Sequence, residues 1–215
     1  SLRILIMRII GAKIGNSVYS GAGSVVMPGA ILEDGVELGC MSRVYRDVVL
    51  GQNVIIGSYS KLNRIRIGEG SRVGERCSLS NAEIGENSQV EPDVKFTGYK
   101  DGVITIGSEC YIGIGCVLDW SGNIAIGNNV HIAGPSASFW THSSIFQALG
   151  SRTLSDHSCK MTGSISIGSS SWIGSGTVVY PGVKIGHHSV VLPNTVVDKD
   201  VADYCVVGGT PCKLI

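Results

Sequence analysis

What this chain has little of narrows its chemistry first. It has no excess of charge of either sign, since 17 Lys and Arg face 17 Asp and Glu, and only 16% of its residues are charged. Without a basic field it carries no electrostatic footprint for nucleic acid. No apolar run reaches the ~20 residues that a membrane-spanning helix needs. The most lipid-like stretch, SLRILIMRII, is too short, carries Arg3 and Arg8, and lacks a signal-peptide cleavage pattern. A short helix capping one end of the fold is expected over residues 1–13. Weak contact of residues 1–12 with a membrane surface is the alternative. Because the chain opens at Ser1 and not Met, an upstream portion is also expected.

Paired cysteine motifs are missing as well. The seven cysteines (40, 77, 110, 116, 159, 205 and 212) are an odd number with no C-x-x-C spacing. Neither a disulfide framework nor a zinc site is signalled, no metal is expected, and a reduced, cytoplasmic setting is the simpler inference.

Glycine is what the chain has in excess: 30 residues, about twice the usual share. It is also periodic. Stepping by six from Ile14 gives Ser20, Val26, Leu32, Leu38, Val44, Leu50, Ile56 and Leu62, all but one aliphatic. After a one-residue slip the series resumes at Ile67, Val73 and Leu79, slips again, and continues at Ile84, Val90 and Phe96. An excursion, TGYKDGVIT, precedes Ile106, Ile112 and Leu118, and another slip leads to Ile126 and Ile132. The series returns at Ile167, Ile173, Val179, Ile185 and Val191 and ends near Val197. Gly often follows the aliphatic, and four positions after it stands a small or β-branched residue.

A period of six suits neither an amphipathic helix nor a simple strand pair. It suits short strands joined by tight corners, a large residue filling the interior and a small one turning the corner. Three units close a triangular coil of 18 residues, and coils stack at the ~4.8 Å strand spacing. The expectation is an all-β fold, a parallel β-solenoid over residues 14–199, with residues 200–215 as a tail. Cys77, Cys110 and Cys116 fall in the small-residue slot and are read as packing. His187 and His188 fall at outward positions, with solvated or intersubunit roles.

The repeat is interrupted by residues 139–163, FWTHSSIFQALGSRTLSDHSCKMTG, which hold His142, Arg152, Asp156 and His157. The solenoid is a frame, and this insert is what the frame presents. Arg152 and Asp156 are read as an ion pair ordering the loop, and His157 as loop structure.

The stretch IGSSSWIGSGTVVYPGVKIGHHSVVLPNTVVDKDVADYCVVGGTPCKLI, from Ile167 to Ile215, resembles the hexapeptide-repeat acyltransferases. The branch it is most similar to holds the maltose, galactoside and surface-polysaccharide O-acetyltransferases. The resemblance is carried by Trp172-Ile173-Gly174, by Pro181 to Gly186, by Val196 to Asp200, and by Val207 to Lys213. It implies a left-handed β-helix, a homotrimer, and acetyl-CoA lying between subunits.

It implies site residues too. His142, reached from Ile126 through IGNNVHIAGPSASFWTH, matches the family's general base, with Phe139 and Trp140 beside it to exclude water. A histidine near its ordinary pKa can remove the proton of an attacking hydroxyl, a contribution of ~10²–10⁴-fold. Trp172, Ser175, Gly176, Pro193, Lys199 and Lys213 match the acyl-CoA positions, the lysines meeting nucleotide phosphates. Pro193 departs from the family's small residue and removes an N–H donor. A polar acceptor-side residue of the family is Gly113 here, so Asp119 and Trp120 are the candidate acceptor residues, a carboxylate and a sugar-stacking face.

The expected activity is acetyl-CoA-dependent O-acetylation of a sugar hydroxyl in a surface polysaccharide or its precursor. N-acylation of a nucleotide-linked amino sugar is the alternative. The metal-dependent carbonic anhydrases that share the solenoid need close His spacing, which His131, His142, His187 and His188 lack. A non-enzymatic scaffold is a further reading, and acetyl-CoA binding separates it from the enzymes.

Overall fold

In a computed structural model, which describes residues 2–99, 101–150, 153, 156 and 160–215, the six-residue period becomes a three-faced column. Each unit contributes a strand of two or three residues, and each strand pairs in parallel with the strand one coil later. On the first face Ile14 pairs with Leu32, Leu32 with Leu50, and Leu50 with Ile67. On the second, Ile112, Ile132, Ile173, Val191 and Val207 are stacked in register. On the third, Phe96, Leu118, Phe139, Val179 and Val197 are stacked likewise. Apart from the partly buried Ile14, these inward residues are buried, each contributing ~1.5–3 kcal/mol of apolar burial.

The slips in the repeat have a physical cause. Where the series shortens from six to five, the chain omits a corner and runs as one strand, Lys61–Ile67 and again Ser78–Ile84. The bend is absorbed by Arg64 and Asn81, at φ +48° and +52°. These two strands join the first and third faces into one 16-stranded sheet, leaving the second face an 11-stranded sheet of its own.

The small-residue slot lines the corners. Ser60 Oγ donates to the Gly74 carbonyl (2.8 Å) and accepts from Cys77 N (3.1 Å), so one hydroxyl ties together successive coils. Cys77, Cys110 and Cys116 occupy the same slot, fully buried. Burial pushes the Cys77 and Cys116 thiols up to about 11. His187 and His188 are exposed at a corner, where His187 Nδ1 accepts from Ser169 N (3.0 Å) and His188 stacks on Tyr204.

Both ends of the column are covered. The helix Leu2–Ile9 buries Ile4 and Met7, while Arg3 donates to the carbonyls of Ser20 and Gly21 and Arg8 to those of Ile14 and Gly15. Its other face leaves Leu2, Leu5, Ile6 and Ile9 exposed. No helix among the described residues is long and apolar enough to cross a membrane. At the far end the solenoid runs past residue 199: Val201 bridges Ile185 and Val206–Gly208 pairs with Val190–Val191. Lys213–Leu214 then folds back antiparallel along that last strand. The insert also starts later than its broken repeat suggests, because Phe139 lies in the core between Leu118 and Val179.

Candidate active site

The site is built where the third face turns toward the first. In the strand Val117–Asp119, Leu118 points inward, so Asp119 points outward. One coil later the chain leaves the strand Ser138–Phe139, and Trp140, Thr141 and His142 fold back over Asp119. The insert's two ends then clamp each other: His142–Ser143 pairs antiparallel with Met161–Thr162, and Gly163 N donates to the Thr141 carbonyl (2.9 Å).

Asp119 is enclosed, with 0% of its side chain exposed. Its Oδ1 accepts from Ser121 N (3.1 Å) and Ser121 Oγ (2.6 Å). Its Oδ2 accepts from Thr141 N (2.9 Å) and stands 2.6 Å from His142 Nδ1. Thr141 Oγ1, 2.7 Å from both Oδ2 and the Asp119 carbonyl, itself accepts from Gly122 N (2.7 Å). Burial works to raise this carboxyl, but the bonds from Ser121, His142 and Thr141 outweigh it and hold Asp119 below the ordinary carboxylate range. A carboxylate only accepts, so Nδ1 of His142 carries the proton. Nε2 is left with its lone pair free to take a proton from another molecule.

Around His142, which keeps 25% of its side chain exposed, stand aromatic groups. The Tyr99 ring meets it edge-on at 4.8 Å between centroids, and Trp140 lies at 6.4 Å. Lys160 Nζ sits 4.0 Å from the Tyr99 ring centroid. Trp120 packs close over Gly98, donates from Nε1 to Ser80 Oγ (3.2 Å), and stays partly exposed.

The structure brings His142, Asp119 and Trp120 together but gives Asp119 a different place from the one expected. It is not an acceptor contact, because its oxygens are taken by Ser121, Thr141 and His142 and no surface of it is open. Phe139 does not line the site, being inside the column. Gly113 packs so tightly that an added Cβ would lie 2.1 Å from Gly134 N. Tyr99 and Lys160 were not among the expected site residues. Tyr99 had a signal, the TGYKDGVIT excursion that breaks the repeat at the same corner, where Ser121 Oγ also accepts from Tyr99 N (3.2 Å). His157, Arg152 and the Arg152–Asp156 pair lie outside the described residues.

The residues expected on the donor side form a second group. Trp172 lies on the second face between His131 and Val190. Ser175 and Gly176 form the next corner, where Asn194 N donates to the Ser175 carbonyl (2.8 Å), which stacks the corner of Pro193 directly on theirs. Lys199 is exposed and acts on Cys212, next to the exposed Lys213. In one chain, the third face separates Trp172, Ser175, Gly176 and Pro193 from the corner of His142, whereas Lys199 follows the third-face strand Val196–Val197 onto that same corner, two coils on.

A family model described as bacterial transferase hexapeptide (six repeats) matches residues 164–199. The chain is 34% identical over 148 residues to galactoside O-acetyltransferase of Escherichia coli strain K12, covering 67% of this chain and 70% of that protein. It is 28% identical over 154 residues to galactoside O-acetyltransferase of Lactococcus lactis, covering 72% of each. Among solved structures, the N-acyltransferase AntD of Bacillus cereus, in complex with dTDP and 3-hydroxybutyryl-CoA, shares the fold. It has a TM-score of 0.54 at 19% identity, covering 77% of this chain and 80% of that one. The stacked six-residue units, the matched repeat and the two galactoside relatives place this chain among the hexapeptide-repeat acyltransferases, as an acyltransferase enzyme built on a left-handed parallel β-helix.

Proposed function

We propose that the protein transfers an acetyl group from acetyl-CoA to a sugar hydroxyl, in a surface polysaccharide or its precursor. The observation that carries this reading is the buried Asp119 beneath His142, 2.6 Å away. A hydroxyl is a poor nucleophile until its proton leaves, and this pair supplies a fixed base. His142 Nε2 takes the acceptor's proton as its oxygen attacks the thioester carbonyl carbon. The carbon–sulfur bond then breaks, and CoA leaves as the thiol with the proton returned from Nε2. Asp119 holds the ring and balances the imidazolium formed in between. A neutral amine makes a weaker demand on such a base, which favours O-transfer over N-transfer.

Trp172, Ser175, Gly176 and Pro193 form the wall for the pantetheine arm, and Lys199 and Lys213 meet the nucleotide phosphates. Trp120 is a stacking face for the acceptor. Since the third face stands between Trp172 and His142 in one chain, the enzyme works as a homotrimer in which neighbouring subunits complete each site. The free thiols suit the reducing cytoplasm. The exposed apolar face of the first helix, flanked by Arg3 and Arg8, suits weak contact with a membrane surface.

The test is acetyl-CoA turnover against a panel of neutral sugars, acidic sugars, nucleotide-sugars and amino sugars. Transfer to hydroxyl acceptors is expected. Activity confined to amino sugars overturns the reading in favour of N-acylation. No protection from heat by acetyl-CoA overturns acyl transfer itself, because a ligand at 100 times its Kd stabilises by ~2.7 kcal/mol.

A further inference from the structure

The insert returns to the solenoid through Lys160, and this lysine has no role in the proton transfer. Its ammonium is held 4.0 Å from the centroid of Tyr99, the same ring that meets His142 at 4.8 Å. Ammonium and imidazole therefore share one aromatic neighbour, and Trp140 lies 6.4 Å from the imidazole between ring centroids. The carboxylate beneath the imidazole is Asp119, and its oxygens are committed to Ser121, Thr141 and His142. Among the described residues Lys160 makes no ion pair. A partly buried ammonium resting on an aromatic face keeps its charge available to a third group.

A second observation points the same way. On the third face, one coil below Val117–Asp119, Lys95 is exposed, with Lys61 two rows further down and Arg43 three, in register with each other. Stacked like charges repel. Asp93 lies near Lys95, but Arg76 grips its carboxylate through Nε and Nη2, both at 2.9 Å. Lys95 is thus left exposed one coil below the strand of Asp119, in a chain with no net charge.

We propose that Lys160 is a specificity-determining residue that selects an acceptor carrying an oxyanion, a carboxylate or a phosphate, beside the hydroxyl to be acetylated. This rests on the reading of His142 as the base for sugar O-acetylation. The ammonium pairs with the acceptor's oxyanion, while Tyr99 and Trp120 border its ring. A charged hydrogen bond of this kind discriminates by about tenfold or more.

The experiment uses the full chain with acetyl-CoA and three matched acceptors: methyl galactoside, methyl galacturonate and galactose 1-phosphate. Wild type is expected to favour at least one acidic acceptor over the galactoside by about tenfold in kcat/KM, through KM. The acid that is favoured tells whether the oxyanion is a carboxylate or a phosphate. Lys160→Met should bring the ratio close to one, and Lys160→Arg should keep it. Melting curves show that both variants fold. A wild-type preference for the neutral galactoside, or an acid preference that survives Lys160→Met, overturns the proposal. Calorimetric binding of the same three sugars decides the matter separately from turnover. If none is acetylated, the O-acetylation reading fails, while an acid preference in binding that Lys160→Met removes still upholds the role of Lys160. Equal binding of all three overturns it.

Discussion

Nδ1 of His142 stands 2.6 Å from Oδ2 of Asp119, a carboxylate shut away from solvent and fed by donors from Ser121 and Thr141. The arrangement fixes the tautomer of the ring and its orientation with one contact. Since the two side chains act as a unit, removing either should cost about the same. His142→Ala and Asp119→Asn are each expected to lower kcat by ~10²–10⁴-fold, and the double variant to be little worse than His142→Ala. Acetyl-CoA binding should be unchanged in all three. A loss below tenfold for His142→Ala, with binding intact, removes it as the base.

The same carboxylate predicts how stability responds to acid. Asp119 is drawn upward by burial and downward more strongly by its hydrogen bonds, so its folded-state pKa lies below the unfolded one. Such a group stabilises fully above the ordinary aspartate range, and the contribution is lost as pH falls through the folded pKa. Asp119→Asn should therefore melt well below wild type at pH 7, by about 1–3 kcal/mol. The gap should narrow below about pH 4. Melting curves from pH 7 to pH 3 check this, and a gap that widens in acid contradicts the assigned direction.

Much of the fold is legible because its period is local. The inward residue and the corner residue recur within six positions, so Ile112, Ile132 and Ile173 could be stacked on paper before any coordinate. Phe139 shows the limit: it continues the third face in register with Leu118, but the repeat breaks just after it, and the break hides the last coil residue. The site was half legible. His142 stands out by its chemistry in an insert without the repeat. Asp119, 23 residues earlier, looks like any polar residue beside a sugar-stacking Trp. What makes it His142's partner is the parallel stacking of successive coils, a three-dimensional neighbour relation that no local spacing expresses. Lys160 and Tyr99 were lost for the same reason.

Packing of the thiols can be tested by reactivity. With pKa values of about 11, Cys77 and Cys116 are only about one-thousandth thiolate at pH 8, and both are buried, whereas Cys40 is exposed. Iodoacetamide at pH 8 should label Cys40 within minutes to hours and leave Cys77 and Cys116 unlabelled until the protein is denatured. Peptide mapping by mass spectrometry reads the outcome. Native labelling of Cys116 at the rate of Cys40 is incompatible with its place at the corner.

Gly113 illustrates how coil stacking limits what the site can contain. A Cβ there would lie 2.1 Å from the backbone nitrogen of Gly134 on the next coil, and backbone cannot move aside cheaply. Gly113→Ala is expected to cost about 3 kcal/mol. In a domain of this size that lowers Tm by about 6–12 °C. Differential scanning calorimetry measures it, and an unchanged Tm would show that the two coils have slack.

At the opposite end, the two lysines proposed for the nucleotide phosphates can be separated from the rest of the donor site by chemistry. Burial raises the Cys212 thiol while Lys199 opposes it, so Lys199 lies close to the tail strand that carries Lys213. Two exposed ammonium groups acting on one polyphosphate contribute modestly, roughly 0.2–1 kcal/mol each, and are screened by salt. Lys199→Ala with Lys213→Ala should weaken acetyl-CoA binding by about two- to thirtyfold and flatten its dependence on ionic strength. S-acetylpantetheine has the thioester and the arm but no nucleotide, so its KM should not change. Calorimetric titration of acetyl-CoA at low and high salt, beside turnover with S-acetylpantetheine, tests both halves. Loss of activity with both donors would mean that the lysines support the tail strand and not the phosphates.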